Sequence, residues 1–148
     1  MDKNEIRLLL IEDNPGDARL VREVLAEVRG VVYRVLHADR LAAGLQILAE
    51  QPVDVLLLDL GLPDSQGLDT VVTAHARHPD LPIVVLSGLN DETSALESLK
   101  CGAQDYLLKG TIHSDMLSRV LRYAIERQRL RTQSSTGAAR GDRAPAAR

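Results

Sequence analysis

Five side chains in this sequence have the types and placement to act together on a cation and a phosphorus atom. They are Glu12, Asp13, Asp59, Ser87 and Lys109, and each closes an apolar run. The runs are IRLLLI, VLLL, IVVL and YLL. An ionised carboxylate beside an apolar core is costly unless it is paired or bound to metal. Three carboxylates a few ångströms apart would repel and raise one another's pKa. A hard divalent cation relieves this, and oxygen ligands with room for water suit Mg²⁺. A carboxylate supported in that way can attack phosphorus and form an acyl phosphate. Phosphoryl transfer needs positioning and neutralisation of the transferring oxygens. The Lys109 ammonium supplies charge. The Ser87 hydroxyl and the backbone N–H groups after Asp59 and Ser87 supply donors.

These residues can meet only if the chain folds their strand tips onto one edge. The strongest strand signal is VDVLLLDLGLPDSQG, Val53 to Gly67, a run that is apolar apart from Asp54 until it reaches Asp59. Such a run reads as a strand buried on both faces of a parallel sheet. Ile6 to Asn14 repeats the pattern and ends in Glu12 and Asp13. Asn14-Pro15 then reads as an N-cap with proline at the first helical position. The helix stripe is Leu20, Val21, Val24, Leu25 and Val28, stopped by Gly30. Residues 31–38 form a second strand, and Asp39 is placed to cap a helix facing the core with Leu41, Leu45 and Leu48. After Gly67 comes a helix with Leu68, Val71, Val72 and His75. Pro82 to Gly88 is a fourth strand. Asn90-Asp91 opens a helix with Ala95, Leu96 and Leu99, closed by Gly102. Ala103 to Gly110 is a fifth strand. The last helix carries Leu117, Val120, Leu121, Ala124 and Ile125.

Five β-α alternations imply an α/β fold: a five-stranded, doubly wound parallel sheet with right-handed crossovers. In the flavodoxin-like (βα)5 order 2-1-3-4-5, ligands bind beyond the carboxyl ends of strands 1 and 3. Those strands end in Glu12-Asp13 and Asp59. Strands 4 and 5 bring Ser87 and Lys109 to the same edge.

The totals narrow the function classes. The chain has 148 residues, 45% apolar, with no Phe or Trp and three Tyr. That suits one domain with an aliphatic core. It lacks the aromatic set that stacks single-stranded bases. No apolar run approaches the ~20 residues of a membrane span. The N-terminus shows no signal-peptide core. The single cysteine, Cys101, fits a reducing cytoplasm. Charge is split: residues 1–118 carry 10 basic and 19 acidic side chains, net −9, and residues 119–148 carry 8 arginines and 2 acids, net +6. From Thr132 the sequence lacks apolar periodicity and reads as a basic, disordered tail over 132–148. The domain is expected over 1–131, with its core at 6–127.

Each motif has a plainer reading. Asp59 alone could be a turn residue, and Glu12-Asp13 could cap the first helix. His75 and His78 lack a further ligand and read as solvent-facing. Cys101 reads as a small filler at a helix end. The set taken together outweighs its parts.

LLLIEDN, VLLLDLGLPDSQG, VVLSG and GAQDYLLKG, in this order and spacing, resemble the response-regulator receiver domain of two-component signalling, of the chemotaxis-regulator type. The resemblance covers about residues 6–127. It implies that Asp59 accepts a phosphoryl group from a histidine kinase, with Lys109 and Ser87 assisting. It implies that Asp13, Asp59 and the Gly61 carbonyl ligate Mg²⁺ directly and Glu12 through water. It implies that Ser87 and Tyr106 form a switch pair, reshaping a partner-binding face of helix 4, strand 5 and helix 5. Three departures are visible: Glu-Asp for the acidic pair, Ser87 for the commoner threonine, and Gly110 where proline usually follows the lysine. A cis bond before Gly110 would cost about 3 kcal/mol, so trans is expected. The expected role is a cytoplasmic switch, not a turnover enzyme, catalysing only its own phosphorylation and dephosphorylation. Its expected partners are a sensor histidine kinase or phosphotransfer protein and a downstream protein effector. A homodimer through helix 4, strand 5 and helix 5 is a further expectation. No DNA-binding domain or membrane segment is expected. The alternatives are a receiver fragment of a larger signalling protein and, less favoured, a Mg-dependent aspartyl-phosphate phosphatase.

Overall fold

The computed structural model describes residues 4–142, with side chains described to residue 133. The main sheet has five parallel strands: β1 (Glu5–Ile11), β2 (Val32–Ala38), β3 (Val55–Asp59), β4 (Ile83–Ser87) and β5 (Asp105–Leu108). Their order is β2-β1-β3-β4-β5, the expected doubly wound arrangement. The helices are α1 (Pro15–Ala26), α2 (Leu41–Glu50), α3 (Leu68–Arg77), α4 (Glu92–Ser98) and α5 (Ser114–Asp142). A short antiparallel ribbon, Gly61–Leu62 with Ser65–Gln66, occupies the turn after β3. Among the described residues no helix is long and apolar enough to cross a membrane.

The apolar runs become strands because both sheet faces are covered. Leu8, Leu10, Leu57, Val84 and Leu86 face α1 and α5, meeting Val21, Leu25, Leu117 and Leu121. Leu9, Ile11, Leu56, Leu58, Ile83 and Val85 face the other way, onto Leu41, Val71 and Ala74. Successive strand residues point to opposite faces, so an unbroken apolar run is what a two-sided core requires. Truncating one of these leucines to alanine typically costs about 2–5 kcal/mol.

Register levels the strand tips. Ile11 pairs with Leu58, so Glu12 stands level with Asp59. Ser87 pairs with Leu108, so Lys109 lies one step beyond Ser87. At the start of α1 the Asn14 side chain accepts from the Asp17 N–H, and Pro15 takes the first helical position.

The structure departs from the sequence reading in four places. Asp39 does not cap α2; its carboxylate meets the Arg40 side chain instead. The α2 amides of Leu41 and Ala42 donate to Asp64, at 2.8 and 2.9 Å, from the turn after β3. Leu20, Val72, Leu96 and Leu99 belong to the apolar spacing of their helices, yet they are exposed. A helix lying on a sheet buries a narrower stripe than apolar spacing alone suggests. His75 is half-buried, its ring pressed on Gly102 and its Nδ1 buried without a hydrogen-bond partner. Gly102 has φ +121°, and a Cβ there would lie 2.6 Å from the His75 ring, so only glycine fits. Finally, α5 continues through Asp142, so residues 132–142 are helical where a disordered tail was expected. Extending a formed helix needs no new nucleus. Gln128 is buried there and holds the Gln104 amide at 3.1 Å. Residues 143–148 of the expected tail lie outside the described residues.

Candidate functional site

The carboxyl ends of β1, β3, β4 and β5 frame an open cleft of about 660 Å³, lined by Glu12, Asp13, Asp59, Gly61, Ser87 and Lys109 among others. Carboxylate oxygens of Glu12, Asp13 and Asp59 all lie within 4.8 Å of one another. Asp13 is exposed, while Glu12 and Asp59 are buried. The two loops after β1 and β3 are 46 positions apart in the chain, and the β1–β3 register alone brings them together.

Lys109 reaches into this group from the end of β5. Its Nζ lies 2.9 Å from Glu12 Oε1, 3.1 Å from Asp17 Oδ2 and 3.4 Å from Asp59 Oδ1. The Asp17 contact is a hydrogen bond. The Glu12 contact, the shortest of the three, is an ion pair with a fully buried carboxylate. The other Glu12 oxygen accepts from the Asn14 N–H at 3.1 Å. Asp59 Oδ1 accepts from the Gly61 N–H at 3.3 Å.

The electrostatics follow from this crowding. Burial raises the Glu12 pKa from 4.5 to about 7, against the pull of Lys109 and the Asn14 amide; the Asp59 charge adds to the rise. Burial works against the charge on Lys109 as well. Its bonds to Glu12 and Asp17 and the charge of Asp59 outweigh that and hold its pKa above the ordinary lysine value. The ammonium therefore stays charged throughout the physiological range.

The three acids pass a fit test for a hard divalent cation. Ligand oxygens around Mg²⁺ stand about 3 to 4 Å apart, as its ~2.1 Å bonds require. The observed spacing closes to that by small side-chain shifts. The buried carboxylates of Glu12 and Asp59 already draw one cation, the Lys109 ammonium. All donors are oxygens, the set that Mg²⁺ prefers.

Ser87 lines the cleft with the acids, and Tyr106 lies outside its lining. The Ser87 hydroxyl donates to the Asp91 carbonyl at 3.1 Å, in the turn before α4. The Tyr106 ring packs against the α2–α3 side of the core. Its hydroxyl donates outward to Glu92 Oε2 at 3.3 Å. Burial and then the Glu92 charge raise its pKa. Lys109–Gly110 is a trans peptide, and Gly110 has φ +93°. Proline cannot adopt that angle.

Sequence reasoning missed Asp17 and Asp64. A signal for Asp17 was present: it sits at the third position of a helix whose proline and N-cap were legible. For Asp64 no local signal exists, because its partners lie 23 and 22 positions away.

Comparisons with known proteins point one way. The family model described as the response regulator receiver domain matches residues 8–121. The chain is 39% identical over 120 residues to the transcriptional regulatory protein KdpE of Mycobacterium tuberculosis, covering 81% of this chain and 51% of that one. It is 36% identical over 114 residues to the photosynthetic apparatus regulatory protein RegA of Rhodovulum sulfidophilum, covering 77% and 60%. The chain thus spans about half the length of the curated relatives it matches. Among solved structures, a response regulator receiver domain protein from Clostridium thermocellum matches with TM-score 0.73 at 28% identity, over 84% of this chain and 98% of that one. NtrX from Brucella abortus, solved in complex with ADP, matches with TM-score 0.78 at 25% identity, over 88% and 29%.

Proposed function

The chain belongs to the response-regulator receiver family of two-component signalling, and from that premise we propose that it is a switch phosphorylated on Asp59. The donor is the phosphohistidine of a sensor histidine kinase or phosphotransfer protein. One observation carries the reading: three carboxylates from β1 and β3 meet within 4.8 Å, and the Lys109 ammonium stands 3.4 Å from Asp59.

In the reaction an Asp59 carboxylate oxygen attacks phosphorus. The new O–P bond forms as the P–N bond breaks, and the electron pair leaves on the imidazole nitrogen. The Gly61 N–H, already bonded to Asp59 Oδ1, orients the nucleophile. Lys109 donates to a phosphoryl oxygen in place of its contact with Asp59. Asp13, Asp59 and the Gly61 carbonyl would hold Mg²⁺ directly, with Glu12 acting through water. When bound, Mg²⁺ neutralises charge on the acids and the transferring oxygens.

The response would run through Ser87 and Tyr106. The Ser87 hydroxyl leaves the Asp91 carbonyl for the phosphoryl oxygen, which frees the turn before α4. Tyr106 leaves Glu92 and turns inward. The face of α4, β5 and α5 changes shape and meets a protein effector or a second copy of the chain. The family match favours such a cytoplasmic switch over a turnover phosphatase. A second reading has one observation behind it: the matched relatives are about twice as long. The same switch would then act as the receiver portion of a longer regulator.

The test is labelling with a small phosphodonor and Mg²⁺. The unaltered protein is expected to gain one acid-labile phosphoryl group by intact mass, and Asp59→Asn none. Equal labelling of Asp59→Asn would overturn the assignment.

A further inference from the structure

We propose that Asp17 is the positioning residue that holds the Lys109 ammonium in the cleft. The inference rests on the phosphoacceptor reading and deepens it. Lysine ends in a flexible four-carbon stem, so its charge is aimed only if something anchors it. The backbone fixes Lys109 at its N–H, which donates to the Ser87 carbonyl at 2.8 Å, and leaves the aim of the long stem to its side-chain partners. Asp17 accepts a hydrogen bond from Nζ at 3.1 Å, beside the Glu12 ion pair at 2.9 Å and the Asp59 contact at 3.4 Å.

Asp17 is also the one acid of the three that lies outside the candidate cation group of Glu12, Asp13 and Asp59. Once that group is engaged, the carboxylates it shares with Lys109 have a competing use. Asp17 has none. The lysine can stay pinned while Glu12 and Asp59 turn to a cation and a phosphoryl group.

Local structure frees Asp17 for this. It stands at the third position of α1, where an acid commonly reaches back to the N-cap backbone N–H. Here the Asn14 N–H is taken by Glu12 Oε2. Asn14 in turn accepts from the Asp17 N–H at 3.0 Å, which fixes the Asp17 backbone. The carboxylate is left to bridge 92 positions of sequence to Lys109. The plainer role is an acid that complements the α1 dipole. That role does not require the lysine, so the two readings separate in a double-mutant cycle.

The experiment measures phosphorylation of the full chain by phosphoramidate over a range of Mg²⁺ concentrations, read by intact mass. In that step the Asp59 oxygen–phosphorus bond forms, the P–N bond breaks, and ammonia leaves with the electron pair. Asp17→Asn and Asp17→Ala are expected to lower the maximal rate on the order of tenfold to a hundredfold, as misplaced catalytic groups do. The Mg²⁺ concentration giving half the maximal rate should not move. Asp17→Glu should recover part of the rate. On a Lys109→Ala background, changing Asp17 should make no further difference. Three results would each overturn the proposal while leaving the phosphoacceptor reading intact: an unchanged rate in Asp17→Asn, a full further loss on the Lys109→Ala background, or an effect confined to the Mg²⁺ dependence. If the unaltered protein is not labelled at all, both the reading and this inference fail.

Discussion

The loop after Asp59 and the loop after Lys109 line opposite sides of one cleft, and they are held in different ways. The first is held by its backbone. Its ribbon pairs Gly61 with Gln66 and Leu62 with Ser65. The Gly67 N–H donates to the Leu60 carbonyl at 2.8 Å. Leu62 is buried beneath it, and Asp64 reaches across to the start of α2. The second loop has less. The Lys109 N–H donates to the Ser87 carbonyl at 2.8 Å, and the Thr111 N–H and hydroxyl both return to the Leu108 carbonyl, at 3.2 and 2.9 Å. Beyond those bonds the lysine side chain is itself the tie, through its carboxylate partners. The comparison teaches that Asp59 is placed by a rigid turn and the Lys109 ammonium by charge.

The largest expected effect breaks the weaker loop. Gly110→Ala puts a Cβ at φ +93°, where an L-residue costs about 1–2 kcal/mol. Space is not the obstacle, since the nearest atom, Leu89 Cδ1, would lie 3.8 Å away. The urea midpoint should fall with an unchanged slope. A midpoint equal to that of the unaltered protein would mean the loop relaxes freely.

Asp64→Ala breaks the stronger loop at its outer tie. Loss of a carboxylate cap costs about 1 kcal/mol. Amide exchange at Leu41 and Ala42 should quicken, while the rate of Asp59 labelling changes less than about twofold. Labelling that collapses with the cap would show the two ends of the ribbon to be one unit.

A third contrast comes through pH. The Ala42 and Leu41 amides hold Asp64 below its ordinary 3.8. Its folded form binds the proton less tightly than the unfolded chain, so its contribution is present above about pH 4 and fades as pH falls. Glu12 is the reverse. Burial raises it from 4.5 to about 7, so the folded form binds the proton more tightly. Metal-free protein should therefore lose stability as pH rises through that window. Urea midpoints of the unaltered protein and Glu12→Gln, with and without Mg²⁺, test this. The decline should vanish in Glu12→Gln and flatten with Mg²⁺. A decline that persists in Glu12→Gln would assign it to another group.

Most of the fold, and the gathering of the candidate site residues on one edge, were legible in the chain. Apolar runs ending in Glu12-Asp13, Asp59, Ser87 and Lys109 marked the strands and the polar rim where their ends meet, because a two-sided core tolerates charge only at strand tips. Asn14-Pro15 marked the α1 start because capping is local. What was misread depends on distant partners. Asp39 had the right type to cap α2, yet Asp64 does so. Leu96 and Leu99 fit a helical stripe, yet α4 leaves Leu96 in solvent and the 3-10 turn after it leaves Leu99 partly so. The helical course of residues 132–142 follows a helix already nucleated upstream, which composition does not reveal.

Periodicity and residue type by themselves determined a doubly wound parallel sheet with acids, a hydroxyl and an ammonium on one rim, since burial patterns and strand ends are written along the chain. Only the tertiary structure decided how those groups pair. Asp17 meets Lys109 and Asp64 meets α2 because parallel register and loop closure bring remote segments within hydrogen-bond reach. A carboxylate's choice of partner is set by distance in space, which spacing in sequence does not encode.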